Sequence, residues 1–193
     1  MDTLNLDLNK KYSYADYLTW SDDKRRELIN GFVKMMTPAP KRIHQKLSFK
    51  LSFKLGHFFD SKKCEVYTAP FDVRLVEKDK TNDKEIINVV QPDISVICDL
   101  SKLDDRGCLG APDLIIEILS PSSSKTDLKD KYQLYEKFGV KEYWIVYPDA
   151  QVIYQYVLEK GKYMQKGIFV QDEKITAHIF PDLEIDLKDV FTD

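Results

Sequence analysis

Apolar residues recur along this chain with two periods, and the changes of period mark its elements. In residues 40–60, Ile43, Leu47, Leu51 and Leu55 return every four positions. That spacing predicts an amphipathic helix with Pro40 near its start. The segments after it read as strands. Residues 65–76 alternate around Val66, Phe71, Val73 and Leu75, and residues 88–98 hold Val89, Val90, Ile94, Val96 and Ile97. Residues 114–119, Leu-Ile-Ile-Glu-Ile-Leu, are apolar except for Glu117. They predict a central strand buried on both faces. A second helix follows, with Leu128, Tyr132 and Tyr135 on its apolar side, Thr126 or a neighbouring serine as cap, and Gly139 to close it. Residues 140–147 are again strand-like, rich in β-branched and aromatic side chains.

Turn residues punctuate the rest. Residues 12–20 predict a short helix capped by Ser13. Asn30-Gly31 supplies the positive φ angles of a tight turn, so residues 27–35 read as a hairpin. Residues 151–158 and 162–170 form another, turning at Gly161, and residues 174–191 add edge structure. Residues 78–85 read as a solvated hairpin tip and 99–112 as a surface loop. The expected fold is α/β with a mixed sheet: an α-β-β-β-α-β core with β-hairpins added at both ends, in one domain over residues 1–193.

Composition narrows the class. A chain of 193 residues that is 43% hydrophobic and 32% charged can build a full core, which excludes a disordered chain. No apolar run approaches the ~20 residues of a membrane helix, and no secretory leader pattern opens the sequence. Three cysteines, Cys64, Cys98 and Cys108, show no metal-site spacing and read as reduced thiols. These features point to the cytoplasm, with no membrane partner. The net charge of −3 excludes a strongly basic coat protein. Charge is uneven, however. Residues 41–63 hold seven Lys and Arg against Asp60 alone, and Arg42, Lys46, Lys50 and Lys54 form a stripe. The stripe is either a phosphate-binding track or a solvated helix face.

Glu117 is the most informative polar residue. Burial among aliphatic neighbours makes its ionisation costly, so it must reach a strand end, pair with a cation or bind a metal. Asp93, in Gln-Pro-Asp, lies where Pro92 removes a ladder donor and puts its strand at an edge or distorts it. Lys131 shares a helix side with Asp127 and Tyr135, close enough in sequence to lean over the end of the Glu117 strand. Each also has a structural reading: an ion pair for Glu117, a bend for Asp93, a surface pair with Asp127 for Lys131. Glu27 and His44 can line the same cleft. No phosphate-binding glycine loop, nucleophile elbow or zinc-spaced Cys/His cluster occurs.

Taken together, Glu27-Leu-Ile-Asn-Gly31, His44, Gln91-Pro-Asp93, the 112–121 run around Glu117, Lys131 with Tyr135, and the 139–148 strand resemble the Uma-two family of restriction-endonuclease-like proteins, within the PD-(D/E)XK nuclease superfamily. The resemblance implies a Mg²⁺- or Mn²⁺-dependent endonuclease hydrolysing nucleic acid, DNA foremost. In that reading Asp93 and Glu117 bind metal, and Lys131 and Glu27 complete the catalytic set. Arg42, Lys46, Lys50 and Lys54 track the nucleic-acid backbone. The superfamily lysine normally stands two residues after the acidic residue, where this chain has Leu119; Lys131 would replace it. The alternative is a catalytically degenerate nuclease-fold module that binds nucleic acid or a protein partner. Nucleases of this fold are often dimers. Tyr143, Trp144, Tyr147, Tyr154, Tyr156 and Tyr163 have two readings, a homodimer interface or, as is commoner for such residues, core and sheet packing.

Overall fold

The computed structural model describes residues 4–36, 40–77, 79–120 and 125–192, and side chains in the second long helix from Leu128 onward. Thr126 and the serines proposed as its cap, like Lys78, lie outside the described residues or side chains. Ser13 caps α1 (Tyr14–Tyr17) in a capping box with Asp16. Strands β1 (Arg26–Ile29) and β2 (Phe32–Met35) form the hairpin around Asn30 and Gly31, with φ of 53° and 85°. Helix α2 is Arg42–Phe59.

The two segments expected as continuous strands are each divided between sheets. Residues 65–76 become β3 (Glu65–Thr68) and β4 (Val73–Arg74), separated by a cis Ala69–Pro70 bond. Residues 88–98 become β5 (Val89–Val90) and β6 (Ile94–Ile97), separated at Gln91-Pro92-Asp93. Pro92 lacks an N–H for the ladder, so the chain leaves one sheet there and enters another. Pro92 therefore marks a crossing rather than an edge strand, since β6 pairs on both sides. The expected loop at 99–112 contains a small hairpin, β7 (Leu103–Asp104) with β8 (Gly107–Leu109).

The rest of the chain supplies β9 (Leu114–Ile118), α3 (Lys125–Phe138), β10 (Glu142–Tyr147), β11 (Val152–Glu159) and β12 (Lys162–Val170). One six-stranded sheet runs β2-β1-β5-β4-β8-β7, the other β12-β11-β10-β9-β6-β3. In the second sheet β9 pairs parallel with β10 and antiparallel with β6. The order α2-β3-β6-β9-α3-β10 is the expected α-β-β-β-α-β core. The tail adds no edge to either sheet. Instead β13 (Lys174–Thr176) and β14 (Glu184–Asp186) form a separate ribbon, followed by α4 (Leu187–Phe191).

Two apolar layers enclose the second sheet. Leu47, Leu51 and Leu55 of α2 pack on Ile94, Val96, Leu114, Ile116, Trp144 and Val146, and Ile175, Ile185, Leu187 and Val190 of the tail close this side. On the opposite face Leu134 and Tyr135 of α3 pack with Ile97, Ile115, Tyr143 and Ile145. Of the two readings of the later aromatic residues, the structure bears out core and sheet packing. Tyr143 and Trp144 are fully buried, Tyr163 nearly so, and Tyr147, Tyr154 and Tyr156 pack against this core.

The reading of three reduced thiols is also corrected. The β3/β6 register pairs Glu65 with Ile97, which brings the residues just outside it, Cys64 and Cys98, opposite each other, and they form a disulfide. Cys108 is free and buried. Among the described residues no helix is long and apolar enough to cross a membrane.

Candidate active site

Strand alternation aims Glu117 before any polar contact is considered. In β9, Leu114, Ile116 and Ile118 face α2, whereas Ile115 packs on the α3 side. By period two, Glu117 joins Ile115 and meets α3. Lys131 and Tyr135, one helical turn apart, reach it there. Lys131 Nζ lies 2.9 Å from Glu117 Oε1, and the Tyr135 hydroxyl donates to the same oxygen at 2.7 Å. Lys131 Nζ also lies 2.9 Å from Oε1 of Glu27, which comes from β1 in the other sheet. The Gln91 backbone N–H donates to that Glu27 oxygen at 2.9 Å. One ammonium therefore ties a carboxylate of each sheet.

Asp93 stands at the crossing between the sheets. The β6/β9 register, Ile94 opposite Ile116, carries Asp93 across from Glu117. Its Oδ2 accepts the Ile118 N–H at 2.7 Å and lies 3.1 Å from His44 Nε2. These groups line a cleft of about 200 Å³, which Lys34 and Leu119 also face. Lys34 is the cross-strand neighbour of Glu27 in the hairpin and lies 3.2 Å from Asp130.

The electrostatics follow from burial. Desolvation raises the Glu117 pKa to about 7; Asp93 and Glu27 add to the rise, while Lys131 and the Tyr135 hydrogen bond oppose it. Burial disfavours the Lys131 ammonium, but Glu117 and Glu27 outweigh it and push the lysine pKa well up. The cluster is thus a charged lysine among more carboxylates than it can neutralise, and Glu117 takes up a proton near neutrality. Burial also opposes the His44 imidazolium, yet the hydrogen bond and charge of Asp93 raise its pKa. His44 Nδ1 is buried with no partner among the described residues.

The donor set suits a hard cation. Asp93 Oδ1, Glu117 Oε2 and Glu27 Oε2 receive no hydrogen bond from the described residues. Asp93 and Glu117 are like charges on neighbouring strands, an arrangement a cation relieves. Among the described residues no group of three or more His, Cys, Asp and Glu side chains is placed to hold a metal ion, so any ion here would rest on two carboxylates and water.

All four residues named from the sequence as a catalytic set, Glu27, Asp93, Glu117 and Lys131, meet in this cleft, and His44 joins them. The Asp127 side chain, the competing partner of Lys131, lies outside the described residues. Tyr135 was visible as a same-side neighbour of Lys131, but its buried hydroxyl bond to Glu117 was not foreseen. Lys34 was missed; its signal was its pairing with Glu27 across the Asn-Gly turn. Asp113 is separate: it accepts the Cys98 N–H and an ion pair from Lys141.

The basic stripe does not form one open track. Residues four apart advance about 40° around a helix, so the stripe winds from solvent toward α4. Arg42 is exposed, but Lys54 pairs with Asp189 at 2.7 Å and Lys50 donates to the Thr192 carbonyl. Lys46, between them, is half-buried.

Comparison with known proteins adds three findings. The profile of a family described as "Putative restriction endonuclease" (Uma2) matches residues 14–188. An uncharacterized protein of Synechocystis sp., slr1290, is 28% identical over 127 residues, covering 65% of this chain and 62% of that protein. The crystal structure of a putative nuclease belonging to DUF820, from Anabaena variabilis, superposes with a TM-score of 0.73 at 20% identity, covering 93% of this chain and 97% of that one. At that identity the superposition establishes a shared fold.

Proposed function

The chain belongs to the Uma2 family, and from the cleft it builds we propose that it is a divalent-metal-dependent endonuclease that hydrolyses the phosphodiester backbone of nucleic acid, DNA foremost. The observation that carries this reading is the Lys131 ammonium held 2.9 Å from both Glu27 and Glu117 beside Asp93. Asp93 and Glu117 would hold Mg²⁺ or Mn²⁺, each through an oxygen that no described residue engages. Mg²⁺ typically takes one or two carboxylates and keeps several waters, so an open two-carboxylate site suits it. When bound, such an ion polarises a phosphoryl oxygen and lowers the pKa of water.

The protein's own groups do the positioning. Lys131 stays charged at the cleft wall, where it orients the attacking water and stabilises charge developing on the phosphoryl oxygens. It supplies from α3 the ammonium that Leu119 cannot supply from β9. Tyr135 and Lys131 hold one oxygen of Glu117, leaving the other for the cation. His44 and the Ile118 N–H hold Asp93 in the same way. Glu27, anchored by the Gln91 N–H, fixes the lysine. Arg42, two residues from His44, is the stripe member best placed to meet a phosphate.

Nicking of supercoiled plasmid with Mg²⁺ or Mn²⁺ tests the reading. Asp93→Ala and Glu117→Ala should each lose at least about 100-fold in rate while keeping the wild-type circular dichroism spectrum. Wild-type cleavage by either variant overturns the site assignment.

A further inference from the structure

A second hollow, of about 210 Å³, opens beside the cleft along α2 and shares Pro40, His44 and Asp93 with it. We propose that this groove seats a single, unpaired nucleic-acid strand next to the scissile phosphate, with Phe49 and Phe53 as its base-stacking platform. The inference rests on the nuclease reading and names the substrate class of that same site.

Phe49 and Phe53 are the most exposed large apolar side chains of the described residues, at 69% and 65%. They sit one turn apart on the solvent face of α2, opposite the buried Leu47, Leu51 and Leu55. Their ring centroids are 6.3 Å apart with planes 26° from parallel, and His57 continues the row 6.5 Å beyond Phe53 at 10°. The helix thus presents a ladder of aromatic faces that the fold leaves uncovered. Exposed apolar clusters of this kind mark interaction surfaces.

The surroundings identify the occupant as anionic and flexible. Among the described residues Asp93 is the only carboxylate lining the hollow, in a protein whose net charge is −3. Arg25 faces the hollow and gives two hydrogen bonds to the neutral Gln91 amide oxygen, so its charge is not cancelled there. Ser48, Ser52 and Thr68 add hydroxyls along the wall. A backbone with one phosphate at Asp93 therefore continues into a groove of cationic and hydroxyl groups edged by aromatic rings, the combination that binds single strands. Bases within a duplex are stacked on one another and offer no free face to Phe49 or Phe53. A second copy of the chain fits less well. Two phenylalanines bury roughly 150–250 Å² each, well short of the ~800 Å² per partner of a stable interface.

The test is fluorescence anisotropy with fluorescein-labelled oligothymidylate and with a labelled duplex, in EDTA so that no cleavage occurs. Wild type should bind the single strand at least about tenfold more tightly than the duplex. F49A/F53A should lose about tenfold or more of single-strand affinity with its duplex affinity unchanged. F49L/F53L, which keeps apolar bulk without an aromatic face, should lose a similar amount. Both sites are exposed, so the fold should survive. Unchanged single-strand binding in F49A/F53A, or tighter binding of duplex by wild type, overturns the proposal. So does a native mass that falls from dimer to monomer in F49A/F53A, because the face would then be an interface between copies. If wild type still nicks plasmid in an Asp93-dependent way in any of these cases, only the groove assignment falls. If wild type neither cleaves nor binds nucleic acid, the nuclease reading falls with it.

Discussion

Replacing Lys131 by Met removes the one cation that, among the described residues, is shared by Glu27 and Glu117, and the structure sets the size and pH dependence of the result. Lys131 is largely buried, with 15% of its side chain exposed, and makes both contacts at 2.9 Å. At an effective dielectric near 20, each contact carries a gross attraction of roughly 6 kcal/mol, much of it offset by desolvation of the ammonium. Stranding buried carboxylates by removing their partner costs about 3–5 kcal/mol, and that is the loss expected in urea unfolding above pH 8. The loss should shrink in acid. Glu117 has its folded pKa raised from about 4.5 to about 7, chiefly by burial. A raised carboxyl pKa favours the protonated fold, so the stability it contributes is present below about pH 4.5 and lost as pH rises through about 7. Without Lys131, which lowers that pKa, Glu117 holds its proton to still higher pH. At pH 6 it is neutral, only Glu27 is stranded, and the cost should fall to roughly half. Measured against Glu117→Gln, which carries no titrating group there, Lys131→Met/Glu117→Gln should show the same reduced cost at both pH values. A loss below about 1 kcal/mol above pH 8, or one that does not change between pH 6 and pH 8.5, would refute the account of a buried three-residue ion cluster.

Metal affinity should follow the same proton: calorimetric Mg²⁺ binding should weaken by up to about tenfold per pH unit below pH 7 and release a proton there, and pH-independent binding would exclude Glu117 as a ligand. Reducing Cys64–Cys98, or replacing both by Ser, opens a link across 34 residues of sequence and should cost about 2–4 kcal/mol in urea unfolding; an unchanged midpoint would count against the bond. Glu142→Leu should destabilise by about 3 kcal/mol, because Glu142 is fully buried and its loss leaves the Trp144 Nε1–H, the Gln155 amide and the Ile179 N–H short of an acceptor, at about 1–3 kcal/mol for each one left unsatisfied. Ser13→Ala should cost only about 1 kcal/mol, the typical worth of an N-cap, read as a small shift in thermal midpoint.

Much of the local structure was legible because it depends on short-range rules. Asn30-Gly31 specified its turn through positive φ, Gly161 did the same for β11 and β12, and the four-residue spacing of Leu47, Leu51 and Leu55 specified the buried face of α2. The site was partly legible for a related reason. A carboxylate in Leu-Ile-Ile-Glu-Ile-Leu is a conflict that needs a partner, and Lys131 with Tyr135 at helical spacing marked the side of α3 that could provide one.

What the sequence by itself determined, then, is the order of elements, the face each buries and the residue types able to carry chemistry. Only the tertiary structure decided how sheets and sites are shared among them. Alternation in residues 65–76 and 88–98 looks the same whether a strand continues or changes sheet, so the crossing at Gln91-Pro92-Asp93 was invisible until strand partners were known. That crossing brings Glu27 from one sheet to Lys131 and Glu117 at the other. The Cys64–Cys98 bond rests on the β3/β6 register, which spacing along the chain does not encode. The fate of the basic stripe depends on α4, more than a hundred residues away, where Asp189 and the carbonyl of the capping Thr192 meet Lys54 and Lys50. Periodicity records which face of an element avoids water; it carries no information about which distant element comes to cover it.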